Sequence, residues 1–176
     1  MTHSPEVLEF WEGVKAQTGV EGDLQDAFGF GDTPELVDEL LSLVLTGRKR
    51  ASCNLVREGE LEGWPDLEVG AYNIILDGAG RPRAVIRTVS VTRVRFSDVP
   101  EDHARLEGEG DGTLERFRTE HTRYYERVGA RLGFEFSEDM EVDLEVFELV
   151  YPKDAGGPGR IRTDDRPVMS RTLQPD

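Results

Sequence analysis

The sequence predicts an α+β domain, on three observations. Two amphipathic helical segments with clear start signals open the chain. Runs rich in Val, Ile and Thr fill its middle and its end, and two further helical segments separate those runs. The order is two helices, strands, two helices and a strand, which predicts a small mixed sheet or barrel with helices packed on it. The length of 176 residues suits one domain, with or without an appendage, that buries its own core.

The elements follow in order. Residues 4–17 form the first predicted helix: Ser4 is placed to cap it, Pro5 fits its first position, and Val7, Leu8, Phe10, Trp11 and Val14 make an apolar stripe. Gly19 to Gly31 reads as a glycine-rich connection carrying Phe28 and Phe30. The second helix starts at Thr33-Pro34, runs through Leu36, Val37, Leu40, Leu41, Val44 and Leu45 at helical spacing, and meets Gly47 as its stop. Strands are predicted over Ala71–Leu76, closed by Asp77-Gly78, over Ala84–Phe96, and over Glu141–Tyr151, where the alternation slips near Phe147 as at a bulge. A short helix near Glu101–Glu107 and a longer one over Thr113–Leu132 lie between. The longer helix carries Phe117, His121, Tyr124, Tyr125 and Val128 on one side.

Charge narrows the function. Asp and Glu total 36 against 21 Lys and Arg, a formal net charge of -15. General binding to duplex nucleic acid relies on neutralising phosphates, and this balance argues against it while leaving room for a local basic pocket. Cys53 is the only cysteine, so an internal disulfide is excluded and a thiolate zinc site is disfavoured; a reducing, cytoplasmic location is expected. The N-terminal residues lack a basic region followed by an apolar run, and no apolar stretch approaches membrane-spanning length, so neither secretion nor a membrane partner is expected. Residues 154–176 differ from 1–153: they hold Gly156-Gly157-Pro158-Gly159 and four Arg against four Asp, without apolar periodicity, and read as a flexible tail behind a single folded domain.

The acidity is uneven. Leu40 to Arg57 carries Arg48, Lys49, Arg50 and Arg57 and no acid, and Gly78 to Ser97 carries Arg81, Arg83, Arg87, Arg93 and Arg95 and again no acid. Two readings stand: solvated strand and loop arginines, or a positive cleft for an anionic ligand or single-stranded RNA inside an acidic shell. Within the first segment lies Gly47-Arg48-Lys49-Arg50-Ala51-Ser52. A lysine beside other cations can lose its proton and serve as general base to a hydroxyl nucleophile three residues on. The plainer alternative is a cation stabilising the helix end and a turn hydroxyl.

The context of that motif resembles the ASCH domain family. Phe28-Gly29-Phe30-Gly31-Asp32-Thr33-Pro34-Glu35-Leu36, Asp38-Glu39-Leu40 and Leu43 to Ser52 are similar to it, most of all to a bacterial branch with an N-terminal helical extension. So are Ile86-Arg87-Thr88, Phe96-Ser97-Asp98-Val99, His103-Ala104, Glu107 to Asp111, Arg118, His121 and Phe147 to Tyr151. The resemblance implies a PUA-like fold, a small mixed β-barrel with packed helices, and a link to RNA. One branch of the family hydrolyses N4-acetylcytidine with a Lys, a Thr nucleophile and a Glu; another member type cleaves single-stranded RNA.

Carried onto this chain, the resemblance makes Lys49 the base, Ser52 the nucleophile and Glu107 the acid. Arg48, Arg50, Arg87, Thr88 and His121 become candidate ligand contacts. Ser52 stands where the family has Thr, and Asn54 where it has Arg. No cofactor or metal is implied, although Glu107, Glu109 and Asp111 form an acidic, glycine-rich loop. Trp64, between Gly63 and Pro65, either anchors its loop or stacks on a base. Three functions follow: hydrolysis of a small N4-acylated nucleoside, cleavage of single-stranded RNA, or RNA or ligand binding without catalysis. The partner in each case is a nucleoside or single-stranded RNA.

Overall fold

The computed structural model describes residues 2–153 and the residues Arg171 and Thr172. The chain opens with helix α1 (Pro5–Thr18), started by Ser4, whose Oγ accepts from the Val7 N–H at 3.2 Å, and stopped by Gly19 at φ 78°. Strand β1 (Leu24–Phe28) and helix α2 (Pro34–Leu45) follow, the helix capped by Thr33, whose Oγ1 accepts from the Leu36 N–H. Strand β2 (Lys49–Leu55) runs directly into helix α3 (Val56–Glu62). Strands β3 (Tyr72–Leu76) and β4 (Pro82–Arg95) form a hairpin around Asp77, whose carboxylate accepts from the Ala79 and Arg81 N–H groups. Helices α4 (Glu101–Glu107) and α5 (Leu114–Leu132) precede strand β5 (Glu141–Tyr151), and Arg171–Thr172 form a two-residue β6.

The strands make one mixed sheet in the order β1-β3-β4-β5-β2-β6. β3/β4, β4/β5 and β5/β2 are antiparallel, while β1 joins β3 and β6 joins β2 in parallel. Alternation along the strands sends Ile74 and Val85 to a cluster with Val7, Trp11 and Val14 of α1, and Ile75, Ala84 and Ile86 to a second with Leu40, Leu41 and Val44 of α2. A third cluster joins Cys53, Leu55, Val142 and Leu144 to Phe117 and Tyr125 of α5 and to Ala104 of α4. Helices thus cover the sheet on both sides, and the α+β class expected from the sequence holds.

Three local expectations change. The glycine-rich stretch after α1 contains β1, whose short run Leu24–Phe28 borrows its strand character from pairing with β3. The Lys49–Ser52 motif is not a helix end and turn but the start of β2, between β5 and β6. The slip near Phe147 belongs to the partner strand: Thr88 faces Phe147 and Ser90 faces Val146, so Val89 of β4 is the extra residue. The tail expected over 154–176 lies outside the described residues, apart from the backbone pairing of Arg171–Thr172 with β2.

Candidate functional site

Two polar networks meet at β2. The first is centred on Glu145 of β5, 1% exposed, which faces Ser52 across the strand pair. Ser52 Oγ donates to Glu145 Oε1 at 3.0 Å, and Thr88 Oγ1 of β4 donates to Oε2 at 2.6 Å. Asn54 Nδ2 rests on Ser52 Oγ at 3.3 Å. A carboxylate taken out of water needs such donors, and this one draws them from both neighbouring strands.

The second network is centred on Lys49, which is fully buried. Its Nζ donates to Glu109 Oε2 at 2.7 Å and to the Ala51 carbonyl at 3.0 Å, and lies 3.9 Å from Glu107 Oε1. It also stands 5.3 Å from the centre of the Phe30 ring. His103 Nε2 lies 3.1 Å from both Glu107 Oε2 and the Ser52 carbonyl; both neighbours are acceptors, so this nitrogen carries the hydrogen and ties the two networks together. His121 Nε2 lies 3.3 Å from Glu107 Oε1, and its Nδ1 lies 2.9 Å from the Phe117 carbonyl.

The charges in this second network fix one another. Burial works to raise the Glu107 carboxyl, but the charges of His121 and Lys49 and the hydrogen bonds from His103 and His121 overcome it and hold it down at about 2. Burial works to lower His121, yet the Glu107 carboxylate raises it above its ordinary value, so the imidazolium is favoured. Burial pushes Glu109 up, opposed by Lys49 and reinforced by Glu107. The group is an ion cluster in which Lys49 is a partnered ammonium.

Beside the first network lies a cavity of about 420 Å³, of the size that small-ligand sites have. Phe28, Phe30, Trp64 and Tyr124 give it aromatic walls, and Gln25, Asn54 and Asn73 give it amides. Ser52 and Glu145 lie at its floor. Its charged lining is Asp26, Glu60, Asp66, Asp143 and Glu145 against Arg93 alone, and Arg93 is spent on Asp143 through bonds of 2.8 and 3.0 Å. Trp64 is 44% exposed and stands over this cavity, so its ring is both part of a loop and available to a ligand.

The residues singled out from the sequence divide between these places. Lys49, Glu107 and His121 come together, and Glu109 and His103 join them. Ser52 turns its hydroxyl to Glu145 and Asn54, and Thr88 supports Glu145 from beneath. Arg48 is exposed and reaches the Gly110 carbonyl, Arg50 is half-buried on β2, and Arg87 pairs with Glu148 at 3.3 Å. The expected positive cleft is therefore not what the arginines build. β5 lies between β2 and β4, and its acids, with Asp77, take up Arg81, Arg83, Arg87 and Arg93. In the acidic 107–111 loop, Asp111 accepts from the Thr113 N–H and hydroxyl while Glu107 and Glu109 serve the ion cluster, so its carboxylates are occupied locally.

Sequence reasoning passed over Glu145, Asn73 and Glu109 as site residues. Glu145 had a signal: it is an acid in an otherwise apolar stretch, Leu144-Glu145-Val146-Phe147, at an inward strand position.

The comparisons with known proteins bear on the same elements. The model of the ASCH domain matches residues 26–151. The chain is similar to the crystal structure of an ASCH domain from Lactobacillus crispatus, with 29% identity and a TM-score of 0.77, over 86% of this chain and 98% of that one. It is also similar to a protein from Enterococcus faecalis V583, with 32% identity and a TM-score of 0.72, over 82% and 92% of the two chains. No curated protein matches the sequence.

Proposed function

The chain belongs to the ASCH domain family, a PUA-like family linked to RNA binding, and from that premise we propose that it binds a nucleoside without phosphates in the cavity beside Ser52 and Glu145. One observation carries the reading. The cavity combines aromatic surfaces from Phe28, Trp64 and Tyr124, with Phe30 behind them, and amides able to read a base edge, while its charged lining is almost wholly acidic. A base satisfies such a lining; a phosphate chain is repelled by it. The same charge argument ranks cleavage of single-stranded RNA below a small ligand, because Arg81, Arg83, Arg87 and Arg93, four of the arginines a groove could use, are spent on carboxylates.

A second reading, hydrolysis of an N4-acylated cytidine, is favoured by the 3.0 Å contact of Ser52 Oγ with Glu145 Oε1 at the cavity floor. In this version Glu145 replaces Lys49 as the base, since the Lys49 amine is already held by Glu109. The substrate carbonyl takes the place of the Asn54 amide above Ser52. Ser52 Oγ bonds to the acyl carbon as its proton passes to Glu145, the C–N4 bond breaks as that proton passes to the leaving amine, and water then frees the acid from Ser52. Lys49, Glu107 and the two histidines hold β2 in place through the His103 bond to the Ser52 carbonyl.

Calorimetric titration with cytidine, and chromatography after incubation with N4-acetylcytidine, test the two readings together. Saturable binding supports the first; turnover that is lost in Ser52→Ala and in Glu145→Gln supports the second. Turnover retained in Glu145→Gln removes Glu145 from the reaction, and absence of any nucleoside binding removes the first reading.

A further inference from the structure

We infer that the cavity selects a positively charged nucleobase, such as an N-alkylated pyrimidine or purine, over its neutral parent; this rests on the nucleoside reading above. Asn73 supplies the first observation. It lines the cavity, is only 2% exposed, and makes one long contact, 3.5 Å from its Nδ2 to Gln25 Oε1. Its Oδ1 has no partner among the described residues. An amide oxygen left without a protein donor at the cavity wall is open to a donor from a ligand.

The surrounding charge supplies the second. Asp66 makes no side-chain hydrogen bond or ion pair among the described residues. Asp26 accepts the N–H of its neighbour Ala27, and burial raises its carboxyl while the nearby His3 only partly opposes that, so a cation brought into the cavity favours its ionised form. Glu60 reaches no cation closer than Arg57, at 3.6 Å on the outer surface. With Arg93 neutralised by Asp143, the cavity has acceptors and negative charge to spare and no free cation of its own among the described residues.

The aromatic walls point the same way. Phe30 and Tyr124 already have Lys49 and Arg127 over their rings, but the faces of Phe28 and Trp64 carry negative quadrupole potential that favours a delocalised cation stacked against them over a neutral ring of the same shape. Carboxylates in a partly enclosed site add to this by focusing the field on the bound base.

The test compares three probes on the full chain by calorimetry at low salt and neutral pH: cytidine, N3-methylcytidine, whose ring carries a positive charge under those conditions, and benzyltrimethylammonium, an aromatic cation that is not a nucleoside. The inference predicts that N3-methylcytidine binds roughly tenfold tighter than cytidine. Added salt should weaken only the cationic ligand. The ratio of the two nucleoside affinities should collapse towards one in Asp26→Asn with Asp66→Asn, which keeps the Ala27 N–H satisfied. Equal affinity for the two nucleosides overturns the inference and leaves the nucleoside reading standing. Binding of benzyltrimethylammonium alone overturns the nucleoside reading and, with it, the inference of a charged nucleobase. No binding by any probe overturns both.

Discussion

Lys49 shows how a single residue's partners decide its role. A neutral lysine amine can serve as a base, but here the amine sits fully buried against Glu109 and within 3.9 Å of Glu107, an arrangement that favours the ammonium. Removing it leaves Glu109 without its cation and Glu107 dependent on the two histidines alone, so Lys49→Met is expected to destabilise the domain by roughly 3 kcal/mol in urea denaturation. Adding Glu109→Gln to that variant should recover part of the loss. Glu58 of α3 makes the opposite case. Burial pushes its carboxyl up to about 7, although the Tyr124 hydroxyl donates to it at 3.1 Å. A raised carboxyl means that the folded state holds its proton longer than the unfolded one. Stability should therefore fall as pH rises from about 4.5 to about 7 and level off above that. Glu58→Gln keeps an acceptor for Tyr124 and removes the charge. Denaturation across that pH range should show its advantage over wild type growing, to at most about 3 kcal/mol above pH 7.

At the scale of elements, the end of α4 sets the geometry around Lys49. His103 and Glu107 lie one turn apart on this short helix, which stops at Gly108 with φ 68°. A side chain at Gly108 would be strained by that φ and would collide with the Arg48 carbonyl, so the glycine lets the helix end press against the start of β2. Gly108→Ala should push that strand away from Glu107. The expected result is a stability loss of about 2 kcal/mol or more by thermal unfolding, with weaker nucleoside binding. The caps, long helices and long strands were legible because their signals are local: Ser4-Pro5, Thr33-Pro34, and the β-branched run of β4. β1, β2 and α3 were not. Leu24–Phe28 and Lys49–Leu55 are strands because of neighbours distant in sequence, and α3 follows β2 with no side-chain cap to mark it. The site was half legible for the same reason: Lys49 and Glu107 belong to recognisable motifs, whereas Ser52 meets Glu145 only through pairing across 93 positions.

For the whole molecule, charge is the main constraint on what can bind. The sequence carries -15, Arg83, Arg87 and Arg93 of β4 are paired with carboxylates, and the cavity lining is acidic. A short single-stranded RNA should therefore bind more weakly than the nucleoside of its own sequence. Added salt should reduce that gap by screening repulsion, the reverse of the usual behaviour of nucleic-acid binders; fluorescence anisotropy of a labelled oligonucleotide over a salt series reads this directly. No helix among the described residues is long and apolar enough to cross a membrane. The helical coat also extends beyond the segment matched by the family: α1 precedes residue 26, yet it buries Trp11 and Val14 against Ile74 and Val85 of the central sheet, so it belongs to the same folded body.

The most direct test of the central claim is a titration of isotopically labelled protein with cytidine, followed by NMR. The account predicts that the side-chain amide signals of Asn54 and Asn73 and the indole signal of Trp64 shift together and saturate, because these groups line one cavity. It also predicts that His121 and Arg116, on the other side of Tyr124, stay in place. Shifts confined to His121 and Arg116, with the cavity amides unmoved, would contradict it and place the ligand over the ion cluster instead.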